Sequence, residues 1–142
     1  MSPTEAELLA ANAAFYVAFS SGDVDAMDAL WAKGPDVACI HPGWDALRGR
    51  LRVMASWRAI LSNEGGPKIT CTGATAHVLG DCAFVLCYET IEGARLVATN
   101  TFVHEEGAWR LVHHQAAPIA RTVADDDDDD DDLPETGGGV LN

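Results

Sequence analysis

The chain has 142 residues, 48% of them hydrophobic, and a formal net charge of −13 at pH 7. That length fits one domain whose core needs no metal or disulfide staple. Eight consecutive aspartates at 125–132 and Glu135 supply nine of the thirteen net negative charges, so the remainder is a mildly acidic body. No stripe of Lys or Arg interleaved with aromatics marks a nucleic-acid surface.

Cys39, Cys71, Cys82 and Cys87 form no CxxC pair and have no histidine at finger spacing, and each sits in an apolar, strand-like run. They read as buried thiols acting as small hydrophobes. The first five residues carry no basic region before an apolar run, and no apolar stretch approaches the roughly 20 residues that span a bilayer. A cytoplasmic protein without a membrane partner is expected.

Helices come first along the chain. Thr4 and Glu7 have capping-box spacing, and Leu8, Phe15 and Phe19 fall on one stripe of a helix running to about Ser20. Ser21-Gly22-Asp23 breaks it and caps a second helix, whose buried face is Val24, Met27, Leu30 and Trp31, and Gly34-Pro35 ends that helix. A short strand is expected from Asp36 to His41, then a turn at Pro42-Gly43-Trp44. A third helix follows over about Leu51 to Leu61, with Val53, Met54, Trp57, Ile60 and Leu61 on its apolar side. Residues 62–67 read as a loop.

The second half reads as strands at 69–79, 82–92, 95–105 and 108–116, separated by Gly80-Asp81, Gly93-Ala94 and Glu106-Gly107. Each separator is a two-residue hairpin candidate, so a four-stranded antiparallel meander follows. Helices followed by strands argue an α+β fold. A domain is expected over 1–122 and a disordered acidic tail over 123–142, because the aspartate run repels itself and has nothing to bury. Leu133-Pro134-Glu135-Thr136-Gly137 matches the sortase pentapeptide, but no apolar span with basic residues follows it. A chance match or an appended tag explains it.

Two-residue hairpins fix register. With turns at the three separators, Asn100 opposes His113, Ala98 opposes Gln115, Glu89 opposes Ala98, and Thr72 opposes Glu89. Alternation then puts Val85, Phe102 and Leu111 on one face, with Thr72, Glu89, Asn100, His113 and Gln115 toward one end of it. A face apolar at one end and polar at the other is what a small-molecule pocket floor looks like. The opposite face carries Phe84, Leu86, Val103, Val112 and His114 and is apolar enough to suggest a homodimer.

Three segments carry a family resemblance. They are Phe15-Tyr16 through Leu30-Trp31, then Ala38 through Trp57, and finally Val97 to Phe102 with Trp109 to Gln115. The order and residues of these segments resemble the SnoaL-like domains of the nuclear transport factor 2 and ketosteroid isomerase-like superfamily. The resemblance covers about residues 5–120. It implies a cone-shaped barrel, N-terminal helices packed on a curved, mainly antiparallel sheet, and usually a dimer through the convex face. The isomerase-type site of that superfamily pairs a carboxylate base with a Tyr and a protonated Asp. The resemblance gives Tyr16 the Tyr role; no Asp lies within the strands, so Glu89 stands in as the carboxylate.

Glu89 and His113 are the candidate catalytic residues. Glu89 is a mid-strand carboxylate on the expected pocket face, where desolvation raises a carboxyl toward a working base. The alternative is a Glu paired at the barrel mouth. His113 exchanges protons with a ligand or Glu89, or is a hydrogen-bonded structural residue. Tyr16, His41, Trp44, Trp57, Asn100 and Gln115 are the candidate substrate contacts. Trp44 is the best pocket wall because it follows a turn, whereas Trp57 is first of all a core aromatic. No metal spacing and no cofactor motif is present in the sequence. The expected function is proton transfer on an apolar, oxygen-bearing small molecule, in a cofactor-independent isomerase, cyclase or dehydratase-like lyase. The alternative is a non-catalytic dimerisation or ligand-binding module of the same fold.

Overall fold

The computed structural model describes residues 3–34, 36–62 and 68–120. The acidic tail expected over 123–142, its pentapeptide and the loop at 63–67 lie outside them. The chain runs α1 (Pro3–Ser21), α2 (Val24–Leu30), β1 (Ala38–Ile40), β2 (Leu47–Arg48), α3 (Arg50–Leu61), β3 (Ile69–Leu79), β4 (Cys82–Ile91), β5 (Ala94–Glu105) and β6 (Ala108–Pro118). The strands form one sheet in the order β2-β1-β6-β5-β4-β3. Every pairing is antiparallel except β1 with β6.

The α+β expectation holds, with three helices packed on a curved and mostly antiparallel sheet. The sheet stays open: β2 and β3 are its two edges. Leu8, Asn12, Phe15, Tyr16 and Phe19 form the buried stripe of α1, at the spacing a helix needs to face one surface. Val53, Met54, Ser56, Trp57 and Leu61 are the buried residues of α3. The stripes meet through aromatic edges, with Trp57 at 5.6 Å from Phe15 and 5.0 Å from Phe19 between ring centroids. Asp23 caps α2 by accepting the Ala26 amide, as its position before the helix requires. Arg50 then ties α3 to the end of α2, donating to the Trp31 and Ala32 carbonyls and pairing with Asp28.

Three local features set the register of the sheet. The β4–β5 turn is Glu92-Gly93, not Gly93-Ala94, and both residues have positive φ, 50° and 84°. A type I′ turn puts glycine second, as Glu106-Gly107 also does. The correction slides β4 against β5 by two residues, so Glu89 opposes Leu96 rather than Ala98, and the inward set is kept.

The second feature is a bulge in β3. Thr72 pairs with Tyr88 and Thr75 with Leu86, leaving Gly73 and Ala74 against one residue of β4. Gly73 has φ +65° and lies where an added Cβ would meet the Tyr88 ring at 3.2 Å. Cys71, not Thr72, therefore opposes Glu89.

The third is a bulge in β6. Phe102 pairs with Leu111 as expected, but Thr101 pairs with His113 and Asn100 with His114. The extra residue is Val112. It lies where the neighbour of β6 changes from Trp31, which bridges Leu111, to β1, which pairs with residues 113–115. Everything beyond it on β6 turns over.

Candidate functional site

The inward face of β4, β5 and β6 meets the buried stripe of α1 in a polar cluster enclosed by apolar side chains. Glu89 is 1% exposed, and Asn12, Asn100 and His114 are equally buried. The Tyr16 hydroxyl donates to Glu89 Oε2 at 2.6 Å. Asn100 Nδ2 donates to Asn12 Oδ1 at 2.9 Å and to the Tyr16 hydroxyl oxygen at 3.1 Å. With its amide turned that way, Asn100 presents Oδ1 to His114, whose Nδ1–H donates across 2.5 Å. The Cys87 thiol lies 3.3 Å from the Tyr16 oxygen and, since the Tyr16 proton points at Glu89, is the donor there. Glu89, Asn100 and His114 Nδ1 each find a partner inside the network, which is how a buried polar group avoids the cost of an unmade hydrogen bond.

Burial pushes the Glu89 carboxyl above its ordinary range, and the Tyr16 donor pulls partly against that. Burial, together with the neighbouring carboxylate, drives the Tyr16 hydroxyl far upward, so it stays a donor. His114 falls to about 3 through burial and then through the charges His41 and His113 would carry. Its Nε2 lies 4.0 Å from Glu89 Oε2, and a neutral imidazole at that distance makes no ion pair.

A second, smaller group sits toward β1. His41 Nε2–H donates to Ser56 Oγ at 2.9 Å, because Ser56 gives its own proton to the Val53 carbonyl at 2.7 Å. Burial lowers His41 to about 4 and pushes the Cys39 thiol, 3.7 Å from the His41 ring, up to about 12. That pair is neutral and supplies no thiolate nucleophile. Among the described residues no three His, Cys, Asp or Glu side chains group as a metal site.

Tyr16, Glu89 and Asn100 thus share one cluster. His41 is buried beside Trp57, 4.8 Å between centroids, and the two rings connect the groups through His114, 5.9 Å from Trp57. Trp57 is fully buried and its indole N–H finds no acceptor among the described residues. Trp44 is 46% exposed and lays its ring edgewise on His41 at 4.9 Å, so it covers His41 from the outside.

Two expected positions are corrected. His113 is on the outer face, with Nδ1 at 3.1 Å from the Ala38 carbonyl, and Gln115 is exposed there opposite Thr99. The β6 bulge turned both out and brought His114 in. Asn12 went unnoticed although it interrupts an otherwise apolar stripe between Leu8 and Phe15, a signal the sequence did carry. His114 had no such signal, because adjacent histidines exchange faces with a single inserted residue.

Among the described residues the cluster is approached from the side. A groove of about 470 Å³ runs between α1 and β3, walled by Leu9, Val17 and Ile69 and reaching Asn12, Tyr16 and Cys71. That volume lies within the roughly 300–1,000 Å³ of small-molecule sites.

Three helices on an open, curved six-stranded sheet, enclosing a buried Tyr–Glu–Asn–His cluster, define an α+β cone of the NTF2-like kind. A protein proposed to be a dehydratase of the NTF2-like family, from Streptomyces avermitilis, superimposes with a TM-score of 0.76 at 32% identity, over 82% of this chain and 96% of that one. A proposed calcium/calmodulin-dependent protein kinase type II association domain from Thiobacillus denitrificans gives 0.70 at 33% identity, over 78% and 94%. The chain belongs to the SnoaL-like domain family, whose model matches residues 8–121. It is also 27% identical over 116 residues to the F-box protein SKIP8 of Arabidopsis thaliana, covering 80% of this chain and 50% of that protein, so it spans about half the length of the curated relative. No helix among the described residues is long and apolar enough to cross a membrane.

Proposed function

We propose that this SnoaL-like domain binds an apolar, oxygen-bearing small molecule and moves a proton on it, with Glu89 as the base. The observation that carries this reading is the 2.6 Å bond from Tyr16 to a carboxylate that is 1% exposed. A dry carboxylate whose affinity for protons is raised by burial accepts one from a weakly acidic carbon near neutrality. Tyr16 stabilises the charged form of Glu89 between turnovers. Asn100, held by Asn12 and His114, fixes the Tyr16 oxygen and with it the direction of the Tyr16 proton. His114 therefore takes a positioning role in place of the catalytic role expected for His113. Removal and return of a proton next to a carbonyl is the elementary step shared by isomerases, cyclases and dehydratases. The likeness to a proposed dehydratase at 32% identity supports that reaction class.

The test uses acetylnaphthalene, an uncharged methyl ketone, in heavy water, with exchange of its methyl protons followed by NMR. The wild-type protein is expected to exchange them faster than buffer, and Glu89→Gln to lose that excess. No excess in the wild type, or an equal rate in Glu89→Gln, overturns the reading.

A second reading, a non-catalytic association or ligand-binding module, is supported by the interior packing of Phe15, Phe19 and Trp57 and by the likeness to a proposed association domain. Under it the ketone binds without exchange. In either reading we propose a homodimer through the outer sheet face that carries Phe84, Leu86, Val103 and Val112. Four unpaired thiols suit a reducing compartment, and we place the chain in the cytoplasm.

A further inference from the structure

Among the described residues, the α1–β3 groove differs from three other grooves in its chemistry. None of its lining residues among the described ones carries a charge. The three other grooves, of about 230 to 520 Å³, each include charged side chains: Asp36 and Arg48, Asp28 and Arg50, or Asp23 and Arg110. An uncharged lining offers an anion no counter-charge and a cation no partner, so it selects a neutral ligand. Its apolar wall includes Val17, which is 66% exposed although it lies on a helix whose neighbours Phe15, Tyr16 and Ala18 are buried.

One polar group at the base of this groove is poorly served. Asn12 is 1% exposed, and its Oδ1 is taken by Asn100. Its Nδ2 carries two donor hydrogens, and the acceptors it has are thiol sulfurs, Cys71 at 3.8 Å and Cys87. A thiol sulfur is a weak acceptor, so a buried amide donor there gains by exchanging it for an oxygen. Asn12 and Cys71 are both lining residues of the groove, one from each wall.

We propose that the α1–β3 groove is the ligand site, and that it takes an uncharged, largely apolar molecule whose carbonyl oxygen accepts the Asn12 Nδ2–H. This deepens the proposed function and rests on it for the ligand being a small molecule. It adds the route of entry, between helix and edge strand and away from His41 and Trp44, and it adds the anchoring residue. Asn12 also holds Asn100, so a ligand on Nδ2 is linked to the Tyr16 oxygen through three hydrogen bonds, its own and the two that Asn100 makes.

The test titrates acetylnaphthalene into labelled full-length protein and follows amide nitrogen–proton spectra, with ethylnaphthalene and naphthoate as controls. The ketone is expected to shift the Asn12 side-chain amide and the backbone amides of Ala13, Val17, Ile69 and Cys71. Ethylnaphthalene, which lacks the oxygen, is expected to bind about tenfold more weakly, the change one hydrogen bond supplies. Naphthoate is expected to bind more weakly than the ketone, because the groove offers its charge nothing. Asn12→Ala should lose the preference for the ketone over the hydrocarbon. Asn12 is buried, so Val17→Arg at an exposed position serves as the second variant and should abolish binding with the fold intact. Shifts centred on Trp44 and Trp57, equal binding of ketone and hydrocarbon, or wild-type affinity in Val17→Arg overturns the proposal. Groove shifts without proton exchange defeat Glu89 as a base and leave the groove standing. Exchange without groove shifts does the reverse.

Discussion

His114 Nδ1 lies 2.5 Å from Asn100 Oδ1, across two strands that would have placed His113 there had β6 been regular. This one contact orients the Asn100 amide, and Asn100 in turn touches Asn12 and Tyr16. The buried site therefore depends on a bulge at Val112 that lies outside it.

The two histidines separate cleanly on substitution. His114→Ala leaves the Asn100 oxygen unpaired and opens a cavity in the core, and is expected to cost about 2–4 kcal/mol. His113→Ala removes one part-buried bond to a backbone carbonyl and should cost about 1 kcal/mol. Urea denaturation of both variants checks this. A larger loss for His113→Ala would place the wrong histidine inside.

Tyr16→Phe deletes the donor to Glu89 and keeps the ring in the core. The Glu89 carboxyl, already raised by burial, is expected to titrate higher still, since the Tyr16 bond is what pulls it down. A carbon-detected NMR titration of Glu89 in both proteins measures it. An unchanged or lower value would mean that the hydroxyl does not donate to the carboxylate.

Stability should fall in mild acid. His41 and His114 are neutral in the fold, lowered from 6.5 to about 4 and about 3 by burial. Below pH 6.5 the unfolded chain binds more protons at these sites than the fold does, so each histidine removes up to about 1.4 kcal/mol per pH unit as the pH drops toward its folded value. Glu89 acts in the opposite direction. Its folded carboxyl is raised above 4.5, so it favours the fold as the pH falls toward that value. Glu89→Gln removes the compensation, and its stability should drop by on the order of 2–4 kcal/mol between pH 7 and pH 5, more than the wild type loses. Chemical denaturation at the two pH values reads both, and a flat profile in the variant would show that the histidines are not buried neutral.

The outer face predicts association. Leu86 and Val97 are about two-fifths exposed on it, at 39% and 40%, and Phe84 is covered on one side by a stacked His77 ring at 4.6 Å. Light scattering at micromolar concentration should give twice the chain mass, and Leu86→Glu should shift it to the monomer. A monomeric wild type would leave that face to solvent.

The order of elements was legible from the chain because each rests on a local signal. Leu8, Phe15 and Phe19 recur at helical spacing, Asp23 stands where a cap is needed, and Gly80, Gly93 and Gly107 punctuate runs rich in β-branched residues. Glu89 and Asn100 were also legible on a common face, since parity along a strand survives a two-residue slip in register, whereas Tyr16 joined them only through the family resemblance. Parity does not survive the insertion of one residue. The bulges at Gly73 and Val112 exchanged Thr72 for Cys71 and His113 for His114, and sent Gln115 outward. Only the tertiary structure decides such a choice, because a bulge is set by which neighbour a strand must meet next. Here Trp31 and then β1, more than seventy residues away in sequence, dictate the face that each histidine of β6 presents.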